Sequence, residues 1–163
     1  MGLMRIELKN INFSYENNGE FLRVLRNLNL TVEEGEFVSV LGPSGCGKTT
    51  LLKYIAGFIG GGKPKKDIFL IHQDFEQLFP WRTLIGNVIY GIRKTDRAIT
   101  RQEALIKAEK ALNEVGLREF SDYYPHALSG GMKQRGALAR ALALGSRVLL
   151  MDEPFSSLDE ENR

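Results

Sequence analysis

Nine residues, GPSGCGKTT from Gly42 to Thr50, limit this chain more than any other stretch. They fit the pattern G-x-x-x-x-G-K-[ST], with the apolar run Phe37–Leu41 before them and a helical pattern from Thr49 to Ala56 after them. Buried strand, loop and helix in that order predict an α/β fold with a parallel core sheet, its ligand site at the C-terminal end of the strands. Gly42, Gly45 and Gly47, with Pro43, Ser44 and Cys46 between them, let backbone amides converge on phosphate oxygens. Lys48 is placed to reach the terminal phosphates and the Thr49 hydroxyl to bind Mg²⁺, while Thr50 continues a helix start whose dipole favours an anion. The plain alternative is a glycine-rich strand-to-helix turn without a ligand; context and residue types together favour phosphate.

The rest of the chain supplies the partners such a loop needs. Arg147–Met151 (RVLLM) is expected as a buried strand that delivers Asp152 and Glu153 to the sheet edge. One carboxylate there can hold Mg²⁺ and the next can orient or deprotonate water. Taken alone, the pair is equally a strand meeting a solvated turn; behind a phosphate loop it reads as chemistry. A further buried strand is expected in DIFLIHQ, ending at Gln73, and half-buried strands at Arg5–Ile11 and Val24–Val32. Gly57–Lys66 reads as a loop. Thr100–Val115 is the clearest helix: Thr100 and Glu103 form a capping box, Ala104, Leu105, Ala108, Leu112 and Val115 an apolar stripe, and Gly116 a stop.

A pair of glycines, Gly130 and Gly131, precedes another helical pattern in LSGGMKQR, Leu128–Arg135. Together with the phosphate loop, MDEP at 151–154 and SSLD at Ser156–Asp159, in this order, it resembles the ATPase subunits of ABC transporters. That resemblance implies a P-loop NTPase with a parallel core sheet, an N-terminal antiparallel β portion and a helical insert at about 75–145, all within one domain, 1–163. It implies ATP and Mg²⁺ as cofactors, with Thr49, Asp152 and Gln73 organising the metal and water and Glu153 as base. Ser129, Gly130 and Gly131 would complete the ATP site of a second subunit in a head-to-tail dimer; a helix cap with a flexible lead-in is the bland reading. Tyr15 would stack on adenine, or is an ordinary strand aromatic. Phe75–Val88 is similar to the segment that docks a membrane permease subunit, although Phe79 and Trp81 read equally as core residues. LFPWRT and GMKQRGALARALA are most like nitrate, sulfonate and taurine importers.

The same resemblance places a histidine on a strand beyond the SSLD segment, and the chain reaches only Arg163. The C-terminal part of the core is therefore expected to be missing, and Gly57–Gln73 is shorter than usual. His72 and His126 do not match that histidine by position. A nucleotide-binding module with little or no hydrolysis is the alternative to an active ATPase that powers import. A chromosome-maintenance ATPase would carry long heptads between the phosphate loop and Ser129, and these are absent. A small-molecule kinase leaves the later motifs unexplained.

Composition narrows the partners. Among 163 residues, 22 Lys and Arg face 20 Asp and Glu, a net +2 that gives no broad field for nucleic acid or a membrane surface. One cysteine, Cys46, excludes an internal disulfide, and no apolar run suits a secretion signal or a membrane span. The expectation is a cytoplasmic protein, peripheral on the inner face of the membrane through its permease partner.

Overall fold

The computed structural model of the chain describes residues 5–72 and 77–153, so the expectations for Gln73, for Phe75 and for Ser156–Asp159 lie outside the described residues. The chain forms two compact units, Met1–Lys65 and Lys66–Arg163.

The first unit is built on an antiparallel hairpin, β1 (Ile6–Asn17) and β2 (Glu20–Val32). Both strands run longer than the alternating patterns at Arg5–Ile11 and Val24–Val32, because Asn18 and Gly19 form a tight turn with φ of 51° and 83°. Asn-Gly tolerates that backbone, which matches the twist of the strands it joins. Two further asparagines, Asn10 and Asn27, also have positive φ, at 52° and 44°, where the register shifts. Their amides donate to the side chains of Asn29 and Asn12, and those side chains donate back to the carbonyls of Asn27 and Asn10. The irregularity is thus closed by four reciprocal bonds, which satisfy backbone groups the ladder gives up.

Phe37–Leu41, expected as a strand covered on both faces, belongs to neither a strand nor a helix. Phe37 is 92 % exposed and Leu41 89 %. The run has strand composition, and it has no ladder among the described residues; without hydrogen-bonded neighbours an apolar run cannot be covered. After it, α1 (Lys48–Ala56) buries Thr50, Leu51, Ile55 and Ala56 and stops at Gly57, whose amide donates to the carbonyls of Lys53 and Tyr54.

The second unit pairs β3 (Ile68–Ile71) with β4 (Val148–Met151) in parallel, in register from Ile68 opposite Val148 to Ile71 opposite Met151. On β4 only Leu150 is buried; Leu149 and Met151 stay exposed, short of the full burial expected for this strand. A parallel sheet is covered on both faces only when helices flank both, and these two strands alone do not supply that. Three helices make the unit's core: α2 (Leu84–Thr95), α3 (Arg101–Glu114) and α4 (Gly130–Ala143). Leu78, Leu84, Val88, Ile92, Leu112, Leu117 and Leu128 interlock there with the small faces of Ala104, Ala108, Ala111 and Ala139. Alanines let the helices approach closely. Gly136 carries this further, since a Cβ at that position would stand 2.7 Å from Leu84 Cδ1. The expected stripe on α3 is found, with Ala104, Ala108 and Leu112 buried, Leu105 and Val115 half-buried, and Ala111 added to it.

Candidate functional site

In the first unit, the phosphate loop leads into α1 through Gly47, at φ 103°, and no side chain caps the helix start. Gly45 has φ 78°, and a Cβ at Gly47 would meet Val24 Cγ1 at 2.8 Å, so both glycines are required by the fold of the loop itself. The first amides of α1 are consequently left without side-chain acceptors, the arrangement that receives an anion. Lys48 Nζ donates to the carbonyls of Gly42, at 2.9 Å, and Pro43, at 3.1 Å, which holds the ammonium over the loop. Cys46 is exposed. Thr49 and Thr50 follow on the first turn, with Thr50 buried.

Tyr15 lies near this helix start. Its hydroxyl is 3.4 Å from Thr50 Oγ1, and its ring meets Phe13 edge to face at a centroid distance of 5.0 Å. The ring is 39 % exposed and borders a cavity of about 700 Å³ lined also by Asn17, Asn18, Glu20, Phe21 and Leu22 at the hairpin tip. Phosphate loop and aromatic thus come from one compact unit.

In the second unit, Asp152 follows β4, and its amide donates to the Ile71 carbonyl at 2.9 Å and so extends the ladder by one residue. Asp152 is 6 % exposed, and its carboxylate accepts no side-chain hydrogen bond among the described residues. A buried carboxylate left open in this way is a hard oxygen donor. Glu153 follows at φ 50°, an uncommon conformation for a side-chain-bearing residue and one that concentrates at functional sites.

Ser129 caps α4, its hydroxyl accepting from the Met132 amide at 3.3 Å. The bland reading of Ser129 is therefore satisfied locally, whereas Gly131 needs another reason. It is not in the left-handed region, and a Cβ there would find nothing nearer than Arg135 Nη1 at 3.9 Å. Neither backbone nor packing demands that glycine, and the space in front of it is open.

The loop before α2 is held by a residue of α2 that sequence reasoning missed. Asn87 is fully buried; its Oδ1 accepts from the Phe79 amide at 2.7 Å, and its Nδ2 donates to the carbonyls of Phe79, Arg82 and Thr83. It pairs with Phe79 as a neighbouring strand would, and the loop acquires a fixed shape. The available signal was an asparagine on the buried face of α2, among Leu84, Val88 and Ile92. On this loop Phe79 packs on Trp81 and Tyr90, and Trp81 is 70 % exposed, so Phe79 joins the packing and Trp81 does not. Arg82 lies over the Tyr90 ring at 4.7 Å and, with Arg93, Lys94 and Arg97, gives the adjoining cleft of about 340 Å³ a cationic lining.

A glycine loop, an uncapped helix start and acids at a strand end define a phosphate-binding α/β protein. The protein-family profile described as ABC transporter matches residues 25–156. The chain is 42 % identical to an ABC transporter ATP-binding protein of Methanocaldococcus jannaschii, covering 98 % of this chain and 63 % of that protein. It is 39 % identical to a nitrate import ATP-binding protein of Synechocystis, again over 98 % of this chain and 64 % of the relative. Among solved structures, a dimeric ATP-binding cassette in a post-hydrolysis state, bound to ADP and phosphate, superposes with a TM-score of 0.82 at 33 % identity, over 97 % of this chain and 77 % of the other. The chain belongs to the ABC transporter family, and its fold is that of the family's ATP-binding cassettes. It spans just under two thirds of the length of these two curated relatives.

Proposed function

We propose that this chain is the ATP-binding part of an importer, which binds Mg-ATP and hydrolyses it to drive solute uptake through membrane permease subunits. The observation that carries the reading is the phosphate loop, with no side-chain cap at the start of α1 and Lys48 held above the loop. Gly42 to Thr50 would cradle the phosphates, Thr49 and Asp152, with Gln73, would hold Mg²⁺, and Glu153 would polarise the attacking water. Bound Mg²⁺ would neutralise charge on the transferring phosphoryl group. Tyr15 would take the adenine ring against the hairpin tip. Ser129, Gly130 and Gly131 would complete the site of a second copy arranged head to tail; the open approach to Gly131 and the dimeric solved relative support this.

The segment from Phe75 to Val88 would meet the permease, for which exposed Trp81 and the cationic cleft beside it are suited. No helix among the described residues is long and apolar enough to cross a membrane, so attachment at the inner membrane face would run through this docking surface. Titration calorimetry tests the central claim. Lys48→Ala is expected to weaken Mg-ATP binding at least about tenfold, since a charge-assisted bond to phosphate is lost. Equal affinity in the two proteins would remove the phosphate loop from the site.

A further inference from the structure

Arg140 lies on α4, about three turns beyond Ser129, and it is an unusual residue to find packed between elements. Its Nη1 donates to the Gln77 carbonyl at 2.6 Å, a bond that joins positions 63 apart. Its guanidinium carbon is 5.5 Å from the centroid of Phe69, on β3. Its Cγ lies so close to α2 that a Cβ at Gly91 would stand 3.2 Å away. One side chain of α4 therefore touches β3, the loop that follows it, and α2. Desolvation lowers its hold on its proton, and among the described residues no carboxylate pairs with it. The carbonyl of Gln77 is what compensates the half-buried charge.

Gln77 depends on that bond in turn. Its Nε2 reaches the Leu70 carbonyl only at 3.4 Å, and its Oε1 is buried without a hydrogen-bond partner. From Gln77 the chain enters the loop that Asn87 braces at Phe79, Arg82 and Thr83. At its other end α4 starts at Ser129 and Gly130. A helix is stiff along its axis, so a force on Arg140 reaches its first turn about 16 Å away with little loss.

We propose that Arg140 is a positioning residue that ties the loop beginning at Gln77 to α4, so that movement of Phe79–Arg82 is transmitted to Ser129–Gly131. This rests on the reading of the loop as the permease contact and of Ser129–Gly131 as an ATP contact; it supplies the mechanical link between them. A planar guanidinium can stack on Phe69 while donating to a carbonyl, and a lysine ammonium cannot do both.

The test is a double-mutant cycle read by hydrogen exchange and mass spectrometry on the 163-residue chain without nucleotide. Asn87→Ala loosens the loop. With Arg140 present, it is expected to speed exchange in residues 77–83 and also, by about tenfold, at the first hydrogen-bonded amides of α4 from Lys133 onward. In an Arg140→Met background, which keeps most of the stem and removes the donor, the loop still speeds up and the start of α4 does not respond. Acceleration of equal size at α4 in both backgrounds overturns the proposal, because it would mean transmission through the Leu84–Gly136 packing instead. Absence of any α4 response with Arg140 present overturns it as well. If Arg140→Met does not fold, Arg140→Lys decides: a response at α4 cut to half or less supports the link, and an undiminished one refutes it. Since the readout uses no ATP, a failure of ATP binding in calorimetry would sink the functional reading separately.

Discussion

The Tyr15 hydroxyl sits 3.4 Å from Thr50 Oγ1, long for a bond between two oxygens, so the ring carries more weight here than the hydroxyl. If the ring receives adenine, Tyr15→Phe should leave ATP affinity within about twofold, while Tyr15→Ala should lower it about tenfold or more, given roughly 1–3 kcal/mol per stacked base. Calorimetry on the two variants checks this, and equal losses would transfer the role to the hydroxyl. Asn87 shows a different economy at the same scale. One amide accepts an N–H and donates to three carbonyls of a loop of irregular backbone, without any partner strand.

Helix α3 illustrates how an element is fixed by its ends. Thr100 accepts from the Glu103 amide, and the Glu103 carboxylate accepts from the Thr100 amide and hydroxyl, at 2.9 and 2.7 Å. Those bonds, the side-chain one first and the backbone one next, hold the Glu103 carboxyl below its ordinary value of 4.5. A carboxyl depressed in the folded state adds stability above its unfolded value, and that contribution is lost as pH falls through the lower folded value. Wild type should therefore be more stable than Glu103→Gln at pH 7, and the difference should close below pH about 4.5 as the carboxyl protonates. Urea denaturation at a series of pH values measures it; a gap that persists under acid would assign it to side-chain packing.

For the whole molecule, what the sequence revealed follows from how local each signal is. The phosphate loop, the α3 cap, the serine cap of α4 and the acids behind β4 are written in short stretches of sequence, and the structure has the two helix caps and the strand before the acids in place. The Asn87 brace and the Arg140 bridge depend on contacts across 8 and 63 positions; an asparagine on the apolar face of α2 hints at the first without naming its partners, and nothing near Arg140 announces the second. The strand expected at Phe37–Leu41 failed for the converse reason: its composition is local, but coverage must come from elsewhere. That segment has a practical consequence for handling the protein. Between Phe37 and Leu41 there is no charge and no proline, and the residues favour β-structure, so copies at high concentration can use one another as the missing neighbour. The purified chain should lose solubility with a steep dependence on concentration, and Val40→Lys should raise the concentration at which light scattering begins.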